Sequence, residues 1–173
     1  QAVNRAPVGV LLGTALRATI PGLTLLLCIF IATVPLGLPY FSDVTPFLSL
    51  MAVYYWSIYR PDLMPAAVVF AGGLLQDVLT GGPVGLLALV LVLVHGVGVS
   101  QRRVFLGKSF QVEWWGFSLV TAGAILFAWA TASLYFTTLM EARAFVVQAL
   151  LTVAIYPLVT RLFSRAARIL RAA

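Results

Sequence analysis

Five carboxylates, one histidine and one cysteine are what this chain offers to acid–base or metal chemistry, and Asp77 is the acid that stands embedded in apolar sequence. It falls late in the run FAGGLLQDVLTGGPVGLLAL (70–89), four residues before the turn Gly81-Gly82-Pro83. An ionised side chain placed in hydrocarbon costs about 2.5–3.5 kcal/mol on insertion scales, so it faces protein or water and has a partner. Glycine tolerates positive φ and proline presets a helix start, so the stretch reads as a tight hairpin between two apolar helices. The nearest donors by sequence are the free amides and positive dipole end of the helix that begins near Val84. The plain reading of Asp77 is therefore a structural cap. A proton or ion site and a polar contact to a partner subunit are its functional alternatives.

The other reactive groups form no recognisable constellation. His95, in VLVHGVGVS, has no H-E-x-x-H spacing, no cysteine cluster and no second histidine with which to hold a metal. A serine nucleophile using His95 as base would come from Ser100 or Ser118, yet no motif places them together or supplies oxyanion donors. Gly72-Gly73 and Gly96-x-Gly98 lack the G-x-x-x-x-G-K-[ST] pattern of a phosphate loop and read as helix-packing glycines. Cys28 lies in an apolar run and reads as a buried, inert thiol; as the single cysteine it allows no internal disulfide. The expectation is no catalytic, cofactor or metal site, and a protein that is not an enzyme.

What must position these residues is membrane-like throughout. The chain is 62% hydrophobic and 9% charged, with a mean hydropathy of +1.05, against roughly 45–50% apolar and about 25% charged in soluble domains. Its 173 residues accommodate about six spans of roughly 20 residues and no soluble domain. The expected fold is all-α, a single membrane domain with helices over 18–38, 44–59, 63–80, 84–100, 114–140 and 144–163, followed by a basic cytoplasmic tail over 164–173. Pro21 fits a first helical turn and Pro35 a last one. Tyr40 and Phe41, and then Tyr54, Tyr55, Trp56 and Tyr59, are the amphipathic aromatics expected at a headgroup boundary. The second and third spans are short for a hydrocarbon core of about 30 Å. Although the sequence begins at Gln1, no cleavage pattern accompanies the first span, which reads as a retained anchor.

Charge sets the orientation. Arg5, Arg17, Arg60, Arg102, Arg103, Lys108, Arg161, Arg165, Arg168 and Arg171 fall on one side of these spans and only Arg143 on the other. The positive-inside rule places both termini, the Arg60-Pro61-Asp62 turn and the 101–113 loop in the cytoplasm, with Asp43, the glycine turn and 141–143 outside. The net charge of +6 then reflects cytoplasmic loops and anionic lipid rather than nucleic acid. Arg161, Arg165, Arg168 and Arg171 suit an interfacial helix on an anionic leaflet, a cytoplasmic protein being the sharper alternative. Ala124, Ala128 and Ala132 form a small-residue stripe that serves internal packing or admits a partner helix.

The run Pro65 through Leu89, above all GGLLQDVLTGGPVGLLAL with Tyr55-Trp56 and Arg60-Pro61 before it, resembles the bacterial rod shape-determining protein MreD family. Gly73, Leu74, Leu75, Asp77, Gly81, Pro83 and Gly85 carry the pattern, with Gly82 fitting it without a gap. The resemblance implies a multi-pass inner-membrane scaffold with no cofactor. Its partners would be an MreC-like bitopic protein and, indirectly, MreB, RodA and a penicillin-binding transpeptidase of lateral peptidoglycan synthesis. It also implies a fold similar to transporter S components. Gly73, Asp77, Gly81, Gly82, Pro83 and Gly85 are the candidate structural or partner contacts. The alternative is a small-molecule-binding subunit with an outward pocket and Asp77 near its floor. The scarcity of polar residues within the spans, with Gln76, Asp77 and Gln148 the main ones, favours the scaffold.

Overall fold

A computed structural model describes residues 8–33, 45–105, 107–137 and 142–172, with the side chains of all but 8–18, 105, 166–167 and 169–172. These residues form six α-helices: α1 Val8–Thr33, α2 Leu48–Tyr59, α3 Ala66–Thr80, α4 Leu86–Phe105, α5 Phe110–Tyr135 and α6 Ala142–Ala172. A single 3-10 turn, Pro61–Leu63, follows α2. Pro65, extended at φ −65° and ψ 152°, directs the chain into α3, which ends at Gly81 in the left-handed region at φ +69°. Without a Cβ, Gly81 adopts that geometry freely and closes the helix through its amide to the Asp77 carbonyl at 3.0 Å.

The molecule is built around α2. At 12 residues it is only about 18 Å long, and ten of its residues from Ser49 to Ile58 are buried. It packs on α1, α4 and α6, while α3 lies along α4 and α5 bridges α4 and α6. A helix that is apolar on every side belongs in a core rather than at a boundary. This corrects the expectation for the aromatic run. Tyr54, Tyr55 and Trp56 are all buried, and Trp56 Nε1 donates to Thr24 Oγ1 of α1 at 2.8 Å; Tyr59 alone of the four is partly exposed.

Among the described residues, three helices are long and apolar enough to cross a membrane: Leu86–Val104, Phe110–Tyr135 and Ala142–Arg165. The part of α1 with described side chains, Thr19–Thr33, and α3, Ala66–Thr80, are shorter apolar helical stretches. Several boundaries differ from the sequence expectation. α1 starts by Val8, which puts Pro21 inside the helix rather than in its first turn. α4 continues to Phe105 and α5 starts at Phe110, so the intervening loop is shorter than 101–113. α6 runs on through Pro157 to Ala172, so residues 164–172 extend the last helix instead of forming a separate tail. Pro35, Tyr40, Phe41, Asp43 and Glu141 lie outside the described residues. Cys28 is buried between helices, as its apolar context suggests. The outer surface is apolar: Leu27, Val78, Leu119, Leu126, Leu134, Leu150, Leu158 and Leu162 all stand more than half exposed.

Candidate functional site

The α3–α4 hairpin holds its helices in backbone contact. A Cβ built on Gly73 would stand 2.3 Å from Ala88 Cα, so only glycine permits this approach. One turn further along α3, Asp77 is 1% exposed and points at the start of α4. Its Oδ2 accepts from the amides of Gly85 at 2.8 Å and Ala88 at 3.3 Å, and its Oδ1 from the amide of Leu87 at 2.9 Å. These are among the amides that a helix start leaves without an intrahelical partner, and the helix dipole adds to the attraction. Gly85, at φ +97°, turns its own N–H toward the carboxylate. Of the turn residues, Gly81 and Gly85 need positive φ, whereas Gly82 does not and a Cβ there would meet only Thr80 Oγ1 at 3.9 Å. Pro83 accepts the Leu86 amide through its carbonyl at 3.1 Å. The pattern residues Gly73, Asp77, Gly81 and Gly85 thus act on one joint.

Two further polar clusters lie inside the bundle. Ser57 of α2 approaches His95 of α4 with 2.7 Å between Oγ and Nδ1, and Gly98 makes room for it, since a Cβ there would stand 2.8 Å from Ser57 Cβ. The serine, rather than Ser100 or Ser118, is thus the histidine's partner. Its one proton goes to the Val53 carbonyl at 2.6 Å, which leaves Nδ1 as donor to Oγ. A histidine donating to the serine does not act as its base. Gly72 packs similarly, its virtual Cβ 2.8 Å from Leu25 of α1, whereas Gly96 faces open space.

The second cluster centres on Glu113, which the sequence assigned to a loop. It lies in the first turn of α5 and is 5% exposed. Oε1 accepts from the Tyr156 hydroxyl and Oε2 from the Tyr59 hydroxyl, each at 2.7 Å, so one carboxyl group ties α5 to α2 and α6. Tyr156 also stacks on Phe117 with centroids 3.8 Å apart. Asp77 is therefore not the only acid buried among apolar residues. The signal that leads to Glu113 is the inward stripe of α5, Glu113, Phe117, Thr121, Ile125, Ala128 and Ala132, whose spacing of three and four marks one helical face. Ala128 and Ala132 of the alanine stripe are buried in it and serve internal packing, while Ala124 is half-buried.

Beside Glu113, Pro157 interrupts the hydrogen bonding of α6. Proline has no N–H, so the carbonyl four residues earlier, Val153, loses its intrahelical partner. Trp114 fills that gap, its Nε1 donating to the Val153 carbonyl at 3.1 Å. Trp114→Phe should therefore lower thermal stability in detergent by the worth of one buried bond, about 1 kcal/mol. In a Pro157→Ala background, where an N–H is restored to Val153, the same change should cost less. Equal losses in both backgrounds would show that the indole bond does not compensate for the proline.

Compared with family models, curated proteins and solved structures, the chain matches none.

Among the described residues no three His, Cys, Asp or Glu side chains gather as a metal site would require. Arg161, Arg165 and Arg168 are exposed near one face of the last turns of α6, while the Arg171 side chain lies outside the described set.

Proposed function

We propose that this protein is a non-enzymatic, six-helix scaffold of the bacterial inner membrane that binds an MreC-like bitopic protein and supports lateral peptidoglycan synthesis in the rod-shape machinery. The observation that carries the reading is a division of labour between inside and outside. All four oxygens of Asp77 and Glu113 accept hydrogen bonds within the bundle, and His95 is engaged with Ser57. The exterior offers large apolar side chains instead, the surface through which helices meet lipid or one another in a bilayer.

The asymmetry of α6 supports an inward-facing C-terminus. Its 31 residues make about 46 Å of helix, longer than a hydrocarbon core of about 30 Å. The excess carries Arg161, Arg165 and Arg168, each worth about 1 kcal/mol at an anionic leaflet. That suits a cytoplasmic end resting on lipid. The hairpin residues Gly73, Asp77, Gly81, Gly82, Pro83 and Gly85 then fix how α3 and α4 are presented to the partner.

Purification of the tagged chain from native membrane, followed by mass spectrometry, tests the reading. The expected result is recovery of a bitopic MreC-like protein, with RodA, the transpeptidase and MreB in lower yield. Recovery of transporter subunits in their place would overturn it.

A further inference from the structure

Two arginines stand where α2 and α4 end together. Both helices run toward the end of the bundle that holds Glu113, and they touch closely just before it. Ser57 Oγ lies 2.7 Å from His95 Nδ1, and a Cβ on Gly98 would stand 2.8 Å from Ser57 Cβ. Arg60 follows Ser57 by three residues and Arg102 follows Gly98 by four, so each lies about one helical turn beyond that contact. Arg102 continues the buried stripe of α4 formed by Leu91, His95 and Gly98, whose spacing of three and four sets it on the side of α2. It is half-buried as a result. Its Nε is closed off from water and bonds to nothing, whereas the two terminal nitrogens reach the surface. Arg60 is exposed.

Neither guanidinium donates to the carbonyls that a helix end leaves free, and neither forms an ion pair among the described residues. The acids nearby do not serve them. Glu113 is taken by Tyr59 and Tyr156, and Asp62 is exposed without an ion pair. Two like charges therefore face one another across neighbouring helix ends, and one of them is partly stripped of water, where attraction to an anion is stronger than in bulk solvent.

We propose that Arg60 and Arg102 hold the phosphate group of an anionic lipid headgroup between the ends of α2 and α4. A guanidinium presents paired N–H donors that match two phosphate oxygens, and the terminal nitrogens of Arg102 supply them at the surface, so the phosphate has no need to reach Nε. The source of the phosphate rests on the scaffold reading, which sets this end at the cytoplasmic leaflet; the site itself rests on the helix ends alone. It is distinct from the attraction of α6 to that leaflet, in which Arg161, Arg165 and Arg168 act as surface charge.

The test uses the purified full chain in a neutral detergent, titrated with phosphatidylglycerol, phosphatidylcholine or inorganic phosphate, with binding read from the rise in melting temperature. A micelle holding few lipids has no charged leaflet, so general surface attraction is removed. A saturable rise is expected with phosphatidylglycerol and none with the other two. Arg60→Gln and Arg102→Gln should each weaken phosphatidylglycerol binding about tenfold, the worth of one hydrogen bond to a charged group. Arg102→Lys, which keeps the charge without the fork, should fall between wild type and Arg102→Gln. The double variant Arg161→Gln, Arg165→Gln removes two charges from the same end of the bundle and should bind as the wild type does. Arg60 is exposed, so its variant carries the test if Arg102→Gln does not fold. Absence of a saturable rise in the wild type, unchanged affinity in Arg60→Gln, an equal loss in the α6 double variant, or an equal rise with inorganic phosphate would each overturn the proposal. None of these outcomes bears on which protein is recovered from native membrane, so the scaffold reading stands or falls separately.

Discussion

Replacing Gly73 by alanine is expected to destabilise this protein more than the same change at Gly72, Gly96 or Gly98. The added methyl would stand 2.3 Å from Ala88 Cα and 2.7 Å from Ala88 N, main-chain atoms that cannot swing aside. The helices must separate, and separation also pulls the Ala88 amide, already at 3.3 Å, away from Asp77. Overpacking of this kind costs typically about 1–3 kcal/mol, and here the lost cap bond adds to it. The neighbouring glycines form a graded control. Gly72→Ala meets the end of the Leu25 side chain at 2.8 Å, which can change rotamer, and Gly98→Ala meets Ser57 Cβ at 2.8 Å, which has less freedom. Gly96→Ala meets nothing and should be neutral or stabilising by up to about 1 kcal/mol, since alanine is the better helix former. Melting in detergent should therefore rank Gly73 below Gly98, Gly72 and Gly96 in that order. A Gly73→Ala variant that melts with the wild type would mean that α3 and α4 do not touch through their backbones.

The hairpin was legible in the sequence because its information is local. An acid, three glycines and a proline lie within the nine residues 77–85, and each restricts the backbone or demands a partner in a way that short-range reasoning can follow. The aromatic run was misplaced because tyrosine and tryptophan have an apolar body and a polar tip, and so suit either a headgroup boundary or a core with donors and acceptors. Here the core supplies them: Thr24 for Trp56, and Glu113 for Tyr59 and Tyr156. An apolar pattern on every side of α2 leaves no polar face to orient it. Glu113 was missed because α5 begins at Phe110, four residues before the expected 114, and a one-turn shift moves a loop residue onto an inward face. The remaining bonds depend on how distant helices meet. Ser57 lies 38 positions from His95 and Trp114 lies 39 from Val153, so Pro157 alone could announce a free carbonyl but not which side chain would find it.

Asp77 gives the sharpest comparison, because both of its oxygens are in use. As a generic helix cap, its asparagine variant should be mild, since size and one acceptor are kept. The actual site presents N–H donors to both oxygens: Leu87 to Oδ1, and Gly85 with Ala88 to Oδ2. Asparagine has one acceptor oxygen, so its NH2 must face one of these amides. If the oxygen keeps Gly85 and Ala88, Leu87 is left facing a donor; in the opposite orientation two amides lose their acceptor. Asp77→Asn should therefore cost about 1–3 kcal/mol, the penalty for one buried donor left unpaired. Asp77→Leu removes all three bonds and should cost more, beyond the roughly 0.5–2 kcal/mol of a soluble helix cap. If the hairpin presents the partner-binding surface, co-purification of the MreC-like protein should fall in the same order as the melting temperature, wild type above asparagine above leucine. A proton or ion role predicts a different pattern, in which both variants fold and bind the partner as the wild type does but fail alike in supporting rod shape. Normal stability, partner binding and rod shape in the leucine variant would mean that the first turn of α4 does not depend on this carboxylate.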